Sequence, residues 1–522
     1  MGDHGEAGTG RSTRSTILVM TCTAASRLFG FVKQALIAAL FGASGPADAL
    51  NVIFNVPNNL RKLFAEGAFS AAFIPMLSTT ILEDRSGNQS RTLVRSLLTL
   101  QVLILLPLVA LSLAFPEVFV RILTSFPNPE KVPVASVLLR WMFGYTLFVS
   151  LSAVLMAVLN SHGRFAVPAL SPLVFSLSII LSMVFLGKRM GVASMGVGVL
   201  VGGVLQLLVM VPSFVKQGYD LVPDFRFANP RFLQTVKLWI PYLASASIFT
   251  VNQFLATFFA SGLEDGSASA LTNAVMFLQI PIGIFGASII TVVFPRMSRQ
   301  AAAGDTGGLR DSLEYGMEFL IMLLIPASVL LILLGKEIIS LTLQRMSFTA
   351  GNTLMASRVL TGYAVGLLSV GMYNILQRLF YALKEFKTPI ISAVVVAITD
   401  LSFSLWLKET RLQVAGLAVA NSIAFTAGVG YLVFVSKKRL DRIGARRMAV
   451  GLGKSILSSV PMTVFLILFR RFAGDMWSSG SSVANLFLVA GVVGISMALT
   501  LGMFALLKVP FIVDIFRRRK PS

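Results

Sequence analysis

Apolar runs of about 20 residues recur along this chain, and a run of that length is what an α-helix needs to cross roughly 30 Å of hydrocarbon. Lipid offers no water to peptide groups, so each run must satisfy its own backbone, as a helix does and an open strand does not. The expected class is an all-α polytopic membrane protein. We place fourteen transmembrane spans, at residues 17 to 40, 48 to 82, 93 to 115, 134 to 160, 166 to 186, 193 to 215, 236 to 262, 269 to 295, 313 to 335, 353 to 383, 389 to 407, 413 to 435, 449 to 469 and 484 to 507. An even count returns both ends to one side.

Composition supports that class. Only 13% of the 522 residues are charged, against about 25% in soluble chains. The formal net charge of +21 would point to nucleic acid in a soluble protein, but here the cations crowd into loops facing anionic lipid. The loops and ends expected in the cytoplasm hold roughly 26 lysines and arginines, against about 10 on the other face, as the positive-inside rule requires. Lys437, Lys438, Arg439, Arg442, Arg446 and Arg447 form one basic loop, and Arg517 to Lys520 end the chain. Lys188 with Arg189 and Arg470 with Arg471 run against the rule. Arg11 and Arg14 precede the first apolar run with no small-residue cleavage site after it, so we expect an uncleaved first helix and cytoplasmic termini.

Several activities are unsupported. Cys22 is the single cysteine and His4 and His162 the only histidines, so there is no disulfide, no CxxC metal site and little histidine chemistry. The sequence holds no GxxxxGK[ST] and no HExxH, the signatures of P-loop nucleotide hydrolysis and zinc hydrolysis. We expect no enzyme, no metal and no cofactor. Transport would be secondary, driven by a coupling ion, the membrane potential or the substrate gradient.

Gly67 to Ser78 (GAFSAAFIPMLS) and Gly286 to Ser298 (GASIITVVFPRMS) match with one gap, six spans apart. Such an echo is expected if two homologous six-helix bundles make a transporter core. The expected division is a tail at 1–16, an N-lobe at 17–216, a linker at 217–235, a C-lobe at 236–436, a basic loop at 437–448, two further helices at 449–507 and a basic tail at 508–522.

The candidate site is Ser26 to Pro75, where Arg27, Lys33, Asp48, Arg61, Lys62 and Glu66 lie in apolar helices. Charges at membrane depth are costly and normally face a bundle interior or a wet cavity. Asp48, Asn51, Asn55, Asn58 or Asn59, Lys62 and Glu66 recur every three or four residues, which places them on one helix face, and Pro57 invites a kink. Arg27 and Gln34 share a face of the first helix, while Lys33 lies about 120° around and joins them through a bend near Gly30 or through its long stem. A structural role stays open for single residues: Lys62 with Glu66 as an ion pair between helices, Asp48 as a cap. As a set, the four cations outnumber the two carboxylates, and buried cations in surplus need an anion from elsewhere. A phosphate or diphosphate suits them, since arginine bonds it with a planar fork and lysine with a point charge.

These residues resemble the MurJ/MviN family of lipid II flippases, in the multidrug/oligosaccharidyl-lipid/polysaccharide exporter superfamily. The resemblance lies in SRLFGFVKQALIAALFGAS (26 to 44), ADALNVIFNVPNNLRKLFAEGAFSAAFIPML (47 to 77), RFAVPALSP (164 to 172), VGGVLQL (201 to 207), FFASG (258 to 262), FTAGNT (348 to 353) and KTP (387 to 389). It implies a bacterial inner-membrane protein that flips undecaprenyl-diphosphate-linked disaccharide-pentapeptide to the outer leaflet. It implies two six-helix lobes around a V-shaped cationic cavity and a lipid-tail groove on the last two helices. Cavity arginines fall on Arg27 and Arg61, acidic gate residues on Asp48 and Glu66, and a serine on Ser26. With Lys33, Asn58 and Lys62 these form the expected binding and gating set; protein partners are not implied.

Departures are Lys33 and Gln34 where the family has Arg and Asp, Met276 where it has an arginine, and Ala256 at an acidic position tied to sodium in some members. Asp400 and Ser404 are then the remaining candidates for a coupling ion. Two other functions stay open: export of a different lipid-linked sugar or a cationic drug, and a non-transporting scaffold for cell-wall enzymes. A drug exporter should carry more intramembrane carboxylates than cations, the reverse of this stretch.

Overall fold

The computed structural model describes residues 6–64, 68–84, 86–440, 444–473 and 483–509. Among them every regular element is helical, and the chain divides into two compact units, Met1–Gly262 and Leu263–Ser522.

The first unit comprises α1 (Glu6–Phe41), α2 (Gly45–Phe64), α3 (Ala68–Glu83), α4 (Asn88–Ala114), α5 (Pro116–Leu123), α6 (Lys131–Phe143), α7 (Tyr145–Ser161), α8 (Ala166–Met190), α9 (Ala193–Lys216) and α10 (Pro230–Ser261). The second comprises α11 (Ser267–Pro281), a π-helical turn (Ile282–Gly286), α12 (Ala287–Ala302), α13 (Thr306–Leu343), α14 (Ala350–Val365), α15 (Leu367–Ala382), α16 (Lys387–Leu407), α17 (Val414–Arg439), α18 (Ala445–Ala473) and α19 (Val483–Leu506).

Eleven of the described helical stretches are long and apolar enough to span a membrane, or twelve if α14 and α15, bent by 45°, count as one. The expected spans at 48 to 82 and 236 to 262 fall outside that count. The first is divided between α2 and α3, and polar residues dilute α2; α10 is nonetheless a 32-residue helix. Helix α1 starts at Glu6, ahead of the expected start at 17.

Close packing of the first unit depends on small residues. Hydrophobic driving force is weak between helices in lipid, so close backbone approach must supply dispersion and polar contacts. A Cβ on Gly198 of α9 would lie 2.8 Å from Ile179 Cα of α8. Ser178 donates to the Gly198 carbonyl at 3.1 Å and Ser182 to that of Ser194 at 2.6 Å, which ties the same pair.

Helix α10, expected to open the C-lobe, packs against α2 and α3 within the first unit. Side-chain bonds explain the attachment. Asn55 of α2 donates to Thr257 at 3.4 Å, and Ser125, between α5 and α6, donates to the Phe258 carbonyl at 2.7 Å.

The segment before α10 is fastened to α4. Arg95 Nε donates to Asp220 at 2.6 Å, Arg226 pairs with Asp224, and the Asp224 amide donates to Thr99 at 2.8 Å. The Arg95 and Arg226 hydrogen bonds hold the Asp220 and Asp224 carboxyls, respectively, below their ordinary range.

In the second unit α13 packs against α12, α14, α15, α18 and α19. The echo seen in the sequence falls on α3 and α12, which carry Pro75 and Pro295 at their eighth and ninth residues.

Candidate functional site

The polar stripe of α2 does not face one cavity along its length. Asp48, Asn51 and Asn59 are buried in the first unit, at 1%, 6% and 5% exposure. The Asn51 amide returns to its own helix, donating to the Ala47 carbonyl at 2.9 Å, and Asn55 is drawn to Thr257 of α10. Asn55 thus joins α2 to α10.

The half-exposed residues Phe54, Asn58 and Arg61 lie four and three residues apart and therefore share one face of α2. Arg61 donates to the Asn58 side-chain oxygen through Nε at 3.4 Å and Nη2 at 3.3 Å. Lys33, half-buried on α1, places Nζ 5.0 Å from the centroid of the Phe54 ring. Helix α1 is unbroken at Gly30, so the Lys33 stem supplies the reach.

Phe54 belongs to this face although it is no part of the polar stripe. Its signal was present in the spacing, seven residues before Arg61, but an aromatic side chain among asparagines reads as core. Over the ring face, Lys33 gains a cation–π contact suited to a partly desolvated ammonium.

Arg27 is exposed on α1, and Ser26 beside it is half-buried. Among the described residues Arg27 makes no hydrogen bond or ion pair. Gln34 is half-buried on the same helix. The Lys62 side chain and all of Glu66 lie outside the described residues, as do Arg442 and Arg517 to Lys520.

Asp400 and Ser404 are buried one turn apart on α16, and Ser404 donates to Asp400 at 3.5 Å. Met276 and Ala256, the departures from the resembled family, are half-buried on α11 and α10. No cluster of three or more histidine, cysteine, aspartate or glutamate side chains with metal-binding geometry occurs among the described residues. The α1–α2 site thus offers cations, an amide and an aromatic face. It can bind and orient an anion.

Comparison with known proteins bears on what that anion is. The family model described as lipid II flippase MurJ matches residues 37–488. A Borreliella burgdorferi protein described as a probable lipid II flippase MurJ is 33% identical over 483 residues, covering 92% of this chain and 94% of its own. A Vibrio cholerae protein with the same description is 31% identical, covering 79% and 81%. A solved structure titled lipid II flippase MurJ, inward closed conformation, aligns with a TM-score of 0.79 at 27% identity, covering 96% of this chain and 100% of its own. An inward-facing multidrug transporter of the MATE family, MOP superfamily, aligns at 0.68 and 15% identity over 80% of this chain and 94% of its own, a likeness of fold alone.

Proposed function

The chain belongs to the lipid II flippase MurJ family, and from that premise we propose that Arg27, Lys33 and Arg61 hold the diphosphate of its lipid substrate. The protein is a multi-pass membrane transporter that moves lipid II, the undecaprenyl-diphosphate-linked peptidoglycan precursor, across the bacterial inner membrane by alternating access. The cytoplasmic-to-outer direction rests on membership of that family, and the loop charge supports cytoplasmic termini.

The observation that supports the site assignment is Lys33 over the Phe54 ring, on the face of α2 that also carries Asn58 and Arg61. A face that carries both Lys33 and Arg61 attracts an anion in preference to a neutral group. A diphosphate carries enough charge and enough acceptor oxygens to bond both, Arg61 through its fork and Lys33 as a point charge. Arg27 adds a second fork from the exposed side of α1, and Ser26 and Asn58 add neutral polar contacts. Asp48, Lys62 and Glu66 belong to the conformational step in this scheme.

No covalent step is assigned to the chain. For energy we propose an ion gradient or the membrane potential, with Asp400 and Ser404 as two oxygen donors to a coupling cation. Two donors fill only part of a cation's shell, so carbonyls or water would complete it.

Reconstituted flipping of fluorescent lipid II, with unlabelled competitors, tests the scheme. Undecaprenyl diphosphate should compete and undecaprenol should not. Equal competition by the alcohol would remove the diphosphate from recognition. Stronger competition by another lipid-linked oligosaccharide would reassign the substrate.

A further inference from the structure

Arg470 and Arg471 stand in the last turn of α18, on the face where the loop charges call for few cations, and diphosphate binding at α1 and α2 leaves them without a role. Their surroundings supply one. Helices α13 and α18 are pinned together twice, by Arg447 to Glu318 at 2.8 Å and by Arg470 to Glu337 at 3.2 Å. The pins are separated by about 28 Å of α13 and about 34 Å of α18, at 1.5 Å per residue. That spacing matches a hydrocarbon core of roughly 30 Å, the separation expected of two pins at opposite membrane boundaries.

Beside the second pin is a cavity of about 340 Å³ lined by Leu333, Leu466, Ile467, Arg470 and Arg471. Glu337 is 5% exposed, and its Oε2 has no hydrogen-bond partner while Oε1 faces Arg470. This carboxylate offsets Arg470 and fixes its guanidinium. Arg471 and the neighbouring Lys336 are exposed and make no ion pair among the described residues. The second pin therefore carries a net surplus of cations beside an apolar wall.

We propose that this cavity binds the phosphate headgroup of a membrane lipid, with Arg471 and the fixed Arg470 on the phosphate and Leu333, Leu466 and Ile467 against the first methylenes of its chains. A free phosphate would find two cations but would leave the apolar wall without a partner. An uncharged lipid would leave Arg471 without one. A lipid phosphate satisfies both, and a cation surplus on this face follows from a bound anion instead of contradicting the topology.

The test uses full-length protein, delipidated in neutral detergent and titrated with phosphatidylglycerol or phosphatidylcholine, with bound lipid read by native mass spectrometry. Phosphatidylglycerol should be retained in preference. Arg471→Ala should weaken it about fivefold, the scale of one cation at a lipid surface, and Arg471→Lys should restore most of the loss. Ile467→Trp, which fills the cavity from an exposed position without changing charge, should weaken retention by a similar factor, with melting curves confirming that each variant is folded. Unchanged retention in either Arg471→Ala or Ile467→Trp overturns the site. An equal loss from Arg446→Ala, at the other pin, assigns retention to overall charge and also overturns it. Displacement of the lipid by millimolar inorganic phosphate would make this a site for a free anion and reject the lipid.

Discussion

Two ways of keeping cations in apolar helices divide the molecule. On α1 and α2, Lys33 lies over the Phe54 ring, on the face of α2 that also carries Asn58 and Arg61. Between α13 and α18, each arginine at a pin faces a carboxylate: Arg447 meets Glu318 at 2.8 Å and Glu314 at 4.0 Å, and Arg470 meets Glu337 at 3.2 Å. The Gly444 amide also donates to Glu314 at 2.6 Å. A carboxylate ties its partner's helix to its own, whereas a face that presents cations beside an aromatic ring and an amide is one that an anion can visit and leave. In the function proposed above, the first arrangement binds substrate and the second fastens helices.

The comparison fails first if the α1–α2 cations can be spared. Arg61→Ala and Arg27→Ala should each lower reconstituted flipping of lipid II roughly 10- to 100-fold, the scale of losing a charge-assisted hydrogen bond, while protein levels and melting temperature hold. Neither should support growth of a flippase-depleted strain. Normal growth of both would return this cluster to the scaffold.

Glu337→Ala should act in the opposite sense, on stability more than on flipping per folded molecule. Arg470 is half exposed and water can take over part of its solvation, so we expect about 1–2 kcal/mol, below the range for a fully buried pair, seen as a lower melting temperature in detergent. A variant that melts like the parent yet stops flipping would erase the distinction between the two regions.

Acid should loosen the segment before α10. Because the Asp220 and Asp224 carboxyls are depressed in the folded protein, their contribution is present above the unfolded carboxylate value near pH 4 and lost as pH falls through the folded values. Melting temperature measured downward from pH 7 should fall below that point, and Asp220→Asn should flatten the fall. An unaltered profile in that variant would remove Asp220 from the linkage.

The smallest effect belongs to Lys33→Arg. A fork in place of a point charge over Phe54 should change flipping by no more than about threefold, since charge is kept and only geometry differs. A loss as large as that of Arg61→Ala would mean that Lys33 is shaped for its place and not a mere source of charge.

Much of this was legible in the sequence. Apolar run length fixed the helical class, and the charges between Ser26 and Pro75 marked the candidate site, because burying them without purpose is expensive at membrane depth. The motifs from 26 to 44 and 47 to 77 pointed to the family that the comparisons bear out. What helical spacing left open was the face. Asp48, Asn51 and Asn59 follow the periodicity of a lining stripe, yet they are buried in packing, and Arg61 presents itself with Phe54 and Asn58.

The chain by itself determined which segments lie in lipid and which carry charge they cannot hide, since both depend on composition over a few helical turns. Tertiary structure decided which charges are spent on other helices. Glu337 and Arg470 are 133 positions apart, and Asn55 and Thr257 are separated by 202. Local periodicity assigns a residue to a side of its own helix; only packing decides what stands opposite, and therefore whether a buried charge is a fastening or a site.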